Sequence, residues 1–588
     1  MAVSLGNWVL ALDGSSLPER ELVGGKAWSI ARMGRLGLNV PPSIVISTEA
    51  CAAYMENGDW PDSLADELKK GLSWLEEQTG RSFGKGPSPL LLSVRSGAPI
   101  SMPGMMDTIL NLGINAETEK VLADECGDPA FAKDTHRRFI DLFANVVLKA
   151  VFDPLDPGLN PDDWRSVVKE ASGEEVPADV EQQLTAAITA VFESWNTRRA
   201  KRYRKHHDIP DSLGTAVAVQ AMVFGNMDDQ SGTGVLFTRN PLTGEDKPYG
   251  EYLPRAQGED VVSGKHTPQP LEKMKESVEG AYEELLEAAE TLERENGDVQ
   301  DIEFTIEKGR LYLLQSRSAK RAPNAAARIA VDLVREGKIK PEEALDRVTA
   351  EQARTLLSAR LADDAADSAT VLAEGEGASP GVGTGVIVGD SDEVEKRAEA
   401  GEAVILVRKT TSPDDVHGMI SAKAIATELG GTTSHAAVVS RALGRPCVVG
   451  CGEGSLTDLV GRTVTVDGSL GKVFDGELDV ILPDERDDEV LSQLVDWAVD
   501  VSPVKVVTEA PAGTDVVDLD EMEGIEGPEN LPGIIAGLKG VKTIRLTTAM
   551  DDEAVAAAID AGIEMIVAKP TLPVLLSAVH GLRKKQRT

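Results

Sequence analysis

The chain has 588 residues, 41% of them hydrophobic, and 60 basic against 97 acidic side chains for a net charge of −37. That length is too great for one core and predicts three or four domains. So acidic a surface excludes nucleic acid and anionic membranes as general partners, and an anionic substrate would need a local cluster of cations. No apolar run approaches the roughly 20 residues that span a bilayer, and the opening MAVSLGNWVLALDG does not read as a secretion signal. Four scattered cysteines (Cys51, Cys126, Cys447, Cys451) make no disulfide framework, so the expected compartment is the cytoplasm.

In chain order, residues 1–320 read as mixed α/β, with short apolar runs at 43–47 and 90–94 predicting buried strands. Residues 117–204 read as a helical insert, with Phe139, Leu142, Phe143 and Val146 at helical spacing. Strands resume at 215–224 and 234–238, and the runs 301–307 and 311–316 around Lys308-Gly309-Arg310 predict a hairpin. Helices occupy about 322–361, and residues 362–378, rich in Asp, Ala, Gly and Glu, read as the end of a connector and a linker. A compact α/β unit is expected over 379–482, then a second acidic break at 483–489, and a small α/β segment over 490–588. Both breaks are expected to act as hinges.

The most informative stretch is Gly430-Gly-Thr-Thr-Ser-His435-Ala-Ala-Val-Val-Ser-Arg-Ala-Leu-Gly444. A Gly-Gly turn, three good N-cap residues and a short apolar helix closed by glycine place His435 in a first helical turn. Free N–H groups and the positive dipole end converge there, which suits a phosphate and keeps the imidazole neutral and nucleophilic. A histidine merely packed under the turn is the competing reading.

Towards the N-terminus, Gly24-Gly25-Lys26 sets an ammonium group beside a flexible backbone, and Ser93-Val-Arg95 puts a guanidinium at a strand end. Strand alternation places Asp301 with Glu303 on one face of their strand, and Gln315 and Arg317 likewise share a face of the next strand, so that facing strands bring the four together. Oxygen ligands beside a guanidinium suit Mg²⁺ bridging phosphates, with the arginine balancing charge that develops in transfer.

The histidine stretch, with Gly444-Arg-Pro-Cys-Val-Val-Gly450, Ala378-Ser-Pro-Gly-Val-Gly-Thr-Gly385 and Leu406-Val-Arg-Lys-Thr-Thr-Ser-Pro-Asp-Asp415, resembles the phosphohistidine domain of the phosphoenolpyruvate-utilising enzymes. The N-terminal motifs, with Ser101-Met-Pro-Gly-Met-Met-Asp-Thr108, Gln220-Ala-Met-Val-Phe-Gly225, Ser231–Gly244 and Gly250-Glu251, resemble the ATP-grasp module of pyruvate phosphate dikinase. The resemblance implies an ATP-grasp module over 1–320, a helical connector and linker over 321–378 and a swivelling domain over 379–482. It implies catalytic roles for His435, Arg95 and Arg317. Contacts to ATP fall by resemblance on Lys26, Arg95, Gly104, Thr108, Met222, Val223, Glu251 and Arg317, and metal contacts on Glu303, Gln315 and Asp301. Thr433 matches a threonine through which some dikinases are switched off. One departure is Ala27-Trp28-Ser29, where the family carries small residues; Trp28 would narrow the pocket or pack upon it.

The implied activity is ATP-dependent phosphorylation of His435 with release of AMP, using Mg²⁺ and inorganic phosphate. A barrel for phosphoenolpyruvate and pyruvate needs roughly 250 residues and is not expected within 490–588, so pyruvate would be reached through a partner chain. Homodimerisation is left open. The alternatives are a phosphotransferase with another small-molecule acceptor, or an ATP sensor without turnover.

Overall fold

The computed structural model describes residues 3–587 except 101, 103–106, 207–208, 263–266, 358–359, 444, 482, 520–530 and 546–551. The molecule is mixed α/β and built on several separate sheets. Among the described residues, no helix is long and apolar enough to cross a membrane.

A six-stranded sheet runs in the order Val3–Ser4, Val9–Ala11, Ser43–Ile46, Ala216–Ala221, Leu92–Gly97, Thr108–Leu112. Its central strands are buried along almost their whole length because both faces are covered. Ile44, Ile46, Val217 and Val219 point into one core, with Phe139, Phe143 and Leu184 of the helical region. Their neighbours Val45, Ala216 and Ala218 point into another, with Ala27 and Ile30 of the Arg20–Arg35 helix.

A five-stranded antiparallel sheet follows, ordered Gln269–Pro270, Tyr249–Pro254, Gly232–Phe237, Gln300–Glu307, Arg310–Ser318. The last two strands form the expected hairpin, with Lys308 and Gly309 both at positive φ (51° and 77°) as a tight two-residue turn requires. The Glu279–Asn296 helix lays Leu285 and Leu292 against Ile302, Phe304 and Ile306. Alternation therefore turns Asp301 and Glu303 to the opposite face.

An eight-stranded sheet spans Val371–Asp475, with a parallel centre of Val382–Val388, Val404–Arg408, Ala424–Thr427 and Cys447–Val449. Here the structure corrects the linker expected at 362–378: the segment holds a short helix and most of two strands of this sheet, Val371–Glu374 and Glu376–Ser379. Its glycines permit close backbone approach rather than flexibility. A Cβ at Gly375 or Gly377 would lie 2.4 Å from the carbonyl oxygen of Val449 or Gly468. The chain enters and leaves this unit through one two-stranded ribbon, Arg360–Leu361 against Val480–Ile481.

The acidic break at 483–489 is anchored as well. Glu485 is buried and its carboxylate accepts from the backbone N–H of Thr571 and Leu572 and the Thr571 hydroxyl, capping the Leu572–Arg587 helix. The segment beyond it holds a four-stranded parallel sheet. It shares one core with the connector, in which Ala330, Val331 and Leu345 meet Leu494, Leu575 and Val579.

Candidate functional site

Lys26 reaches its place through a break in its own helix. Gly24 sits at φ 74°, and a Cβ there would lie 1.8 Å from the Gly97 carbonyl oxygen. Only glycine lets the helix touch the end of the Arg95 strand, and Gly25 N–H then donates to the Ala98 carbonyl at 2.9 Å. Burial, reinforced by Arg95 and opposed by Glu303, lowers the Lys26 ammonium to about 8. The Nε of Arg95 is buried with no hydrogen-bond partner among the described residues. Thr108 stands opposite Arg95 in the strand register. Gly104 lies outside the described residues.

The carboxylate side of the cluster comes from the hairpin. Asp301 pairs in register with Arg317, whose Nε donates to its Oδ2 at 2.8 Å, and Glu303 pairs with Gln315. Burial would raise the Glu303 carboxyl, but Arg317, Arg95 and Lys26 together hold it below its ordinary range. The Asp301 carboxylate holds Arg317 firmly protonated against burial. Glu303 and Gln315 therefore offer oxygens from facing strands, while Asp301 is already engaged by the guanidinium. Met222 and Val223 follow the Ala216–Ala221 strand and are half-buried; Met222 N–H donates to Leu91 O and Phe224 N–H to the Glu307 carboxylate at 2.7 Å. Trp28 lies outside this cluster, its ring flanked by the Arg20 and Arg32 guanidinium groups at 5.6 and 5.2 Å.

His435 opens the His435–Leu443 helix, below the turn at Gly430 (φ 106°). Its Nδ1 is 3.1 Å from the Thr411 hydroxyl, and its Nε2 is buried with no hydrogen-bond partner among the described residues. Burial lowers the imidazole below its ordinary 6.5, opposed by the Asp415 carboxylate. Asp415 is itself held by the hydroxyls of Ser391 and Ser412 and by Arg408. In the tautomer whose Nδ1–H donates to Thr411, Nε2 carries the lone pair at a helix start.

The histidine loop is seated on the five-stranded sheet. Thr433 donates to the Glu251 carboxylate, and the hydroxyls of Thr432 and Tyr249 are hydrogen-bonded. A Cβ at Gly431 would fall 2.8 Å from Glu251 Oε1, so a larger residue there would displace the Glu251 carboxylate. The sheet register gives the contact its meaning. Glu251, Val235, Glu303 and Gln315 form one cross-strand row, and Tyr249, Phe237, Asp301 and Arg317 the row beside it. Residues opposite one another on adjacent strands share a face. Thr432 and Thr433 thus grip the ends of the two rows that carry the carboxylate and arginine side chains. Apolar contacts support the seating, since Trp195 and Ala200 share a buried cluster with Val388, Val394 and Met419. Glu251, expected at the nucleotide, here touches the histidine loop. Thr411, Asp415 and Tyr249 were not anticipated as site residues, although two of them lie in the motif ending at Asp415.

The chain matches two family models: pyruvate phosphate dikinase, AMP/ATP-binding domain, over residues 60–281 and 276–338, and PEP-utilising enzyme, mobile domain, over 400–471. The class is therefore that of the PEP-utilising enzymes. Among similar curated proteins, pyruvate, phosphate dikinase of Clostridium symbiosum is 41% identical over 559 residues, covering 89% of this chain and 64% of the relative. The chloroplastic enzyme of Mesembryanthemum crystallinum is 44% identical over 533 residues, covering 85% and 56%. That of Rhizobium meliloti is 42% identical over 560 residues, covering 87% and 62%. The chain belongs to the pyruvate phosphate dikinase family, and it spans 56–64% of the length of these relatives.

Proposed function

We propose that this chain performs the ATP half of a dikinase reaction, in which His435 takes the β,γ-diphosphoryl group of ATP and AMP leaves. The observation that carries the reading is the seating of the His435 loop on the rows of Glu303/Gln315 and Asp301/Arg317, with a buried Nε2 and its lone pair unengaged. In this reading residues 1–320 are an ATP-grasp module, 321–378 join it to a swivelling domain over 379–482, and 490–588 form a supporting α/β segment. The backbone at Met222 and Val223 reads adenine, and the segment around Gly104 and Thr108 covers the phosphates.

Lys26, Arg95 and Arg317 bind the triphosphate oxygens. Glu303 and Gln315 fit the oxygen-rich set that Mg²⁺ prefers, and the ion would neutralise phosphate charge there. Nε2 attacks the β-phosphorus, the bond from that phosphorus to the α–β bridging oxygen breaks, and the electron pair leaves with AMP. Nδ1 keeps its proton throughout, held by Thr411. Inorganic phosphate then removes the outer phosphoryl group as pyrophosphate. The proposed final acceptor is pyruvate, the acceptor in the name of the relatives, reached elsewhere on the polypeptide or on a partner chain. The proposed compartment is the cytoplasm.

The test is incubation with Mg²⁺ and ATP labelled at the β-phosphate, with and without phosphate. AMP formation and acid-labile label on the protein, both lost in His435→Asn, are the expected result. ATP binding without AMP or label would overturn the reading in favour of a nucleotide sensor.

A further inference from the structure

We propose that Asp392, Glu395 and His417 bind a divalent transition ion of the Zn²⁺ type, at a site separate from the ATP-side cluster. Asp392 and Glu395 lie one turn apart on the Ser391–Glu399 helix, so both project from one face. His417 comes from the Val416–Ser421 helix, which crosses the first at Gly418. A Cβ at Gly418 would fall 2.7 Å from that of Ser391, so the glycine allows the contact that brings the imidazole to the carboxylates. One ligand atom from each of the three residues lies within 4.8 Å of the other two.

The shortest edge of this triangle carries the argument. His417 Nε2 and Asp392 Oδ1 are 2.9 Å apart. The nitrogen is closed to solvent, yet the contact is not aligned as a hydrogen bond. Two donors that each bind an ion at about 2.1 Å stand about 3.0 Å apart at right angles and about 3.4 Å apart at the tetrahedral angle. The pair thus has the spacing of neighbouring ligands around a small cation without the direction of a proton shared between them. Two carboxylates and an imidazole suit Zn²⁺, Co²⁺ or Mn²⁺, whereas the nitrogen ligand disfavours Mg²⁺ and Ca²⁺.

Three protein donors leave a fourth position open, and the structure provides room for it. A cavity of about 350 Å³ adjoins the site, with Asp392, Asp414 and His417 on one wall and Arg198, Arg202 and Tyr203 of the Arg198–His206 helix on the other. The same cavity is lined by Arg198, Arg199, Arg202 and Arg408, so water or a small anion would complete the coordination sphere. The ion stands on the seam between the 379–482 unit and that basic helix, and filling the site changes the charge across the seam by two units.

The experiment is titration of chelator-stripped full-length protein with Zn²⁺, and with Co²⁺ as a spectroscopic stand-in, in the absence of nucleotide. The expected result is one saturable equivalent whose Co²⁺ spectrum lacks a thiolate charge-transfer band, which separates the site from Cys447 and Cys451. Loss of a partner outside the coordination sphere already weakens metal binding about 10–100-fold. His417→Ala, and the double variant Asp392→Asn/Glu395→Gln, should therefore weaken it at least about tenfold. Glu303→Gln should leave it unchanged. No saturable binding by the stripped protein, or equal affinity in both ligand variants, would overturn the proposal. The Asp392/Glu395 variant guards against misfolding of the histidine variant, since Asp392 is exposed and Glu395 half-buried.

Discussion

Thr411→Val tests how His435 is prepared for attack. The Thr411 hydroxyl is 3.1 Å from Nδ1, and valine keeps the shape of the side chain while removing the only hydrogen-bond partner found for that ring among the described residues. A buried polar atom left without its partner costs about 1–3 kcal/mol. The penalty falls on the state with the proton on Nδ1 and the lone pair on Nε2, which is the state that attacks. At about 1.4 kcal/mol per tenfold in rate, His435 phosphorylation should slow roughly 5–150-fold at saturating ATP. Thr411→Ser retains the hydroxyl and should stay within about threefold of the wild type. The assay is single-turnover transfer of β-labelled phosphate to the protein, quenched in alkali. Because burial holds the imidazole below 6.5, the wild-type rate should be level above neutrality and fall only as pH drops through that lowered value and Nε2 is protonated. A Thr411→Val rate within about twofold of wild type would refute the idea that this contact sets the tautomer.

Lys26 should make ATP binding pH-dependent. Its ammonium is lowered to about 8, so affinity should weaken as pH rises through that value, and calorimetry above it should register proton uptake on binding. Lys26→Met should bind ATP more weakly and remove both effects. Thr433→Val deletes the donor to Glu251 and should slow phosphorylation of His435 by about 5–30-fold while ATP affinity holds, because the contact lies between units rather than at the nucleotide. Equal loss in both would assign Glu251 to the nucleotide. Glu485→Ala strips the cap of the Leu572–Arg587 helix and should destabilise the C-terminal segment by about 2–4 kcal/mol, seen as an earlier thermal transition and faster proteolysis beyond residue 490. An unchanged transition would show that the cap is dispensable.

Much of the local chemistry was legible in the sequence because it depends on neighbours a few residues apart. Gly430-Gly431 and the Thr-Thr-Ser run place His435 at a helix start whatever surrounds them, and Lys308-Gly309 forces the turn that aligns Asp301 with Arg317 and Glu303 with Gln315. The alternation of Ile44, Val45 and Ile46 between two cores follows from strand geometry alone. The segment at 362–378 misled for a physical reason: glycine is equally the residue of flexible chain and of backbones pressed together, and only the Val449 and Gly468 carbonyls decide between them. Three further features belong to tertiary structure alone: the depressed Lys26, the core shared by the connector and the C-terminal helices, and the grip of Thr432 and Thr433 on Tyr249 and Glu251. Each joins residues far apart in the chain. Their meeting is set by sheet register and packing, which no local pattern encodes.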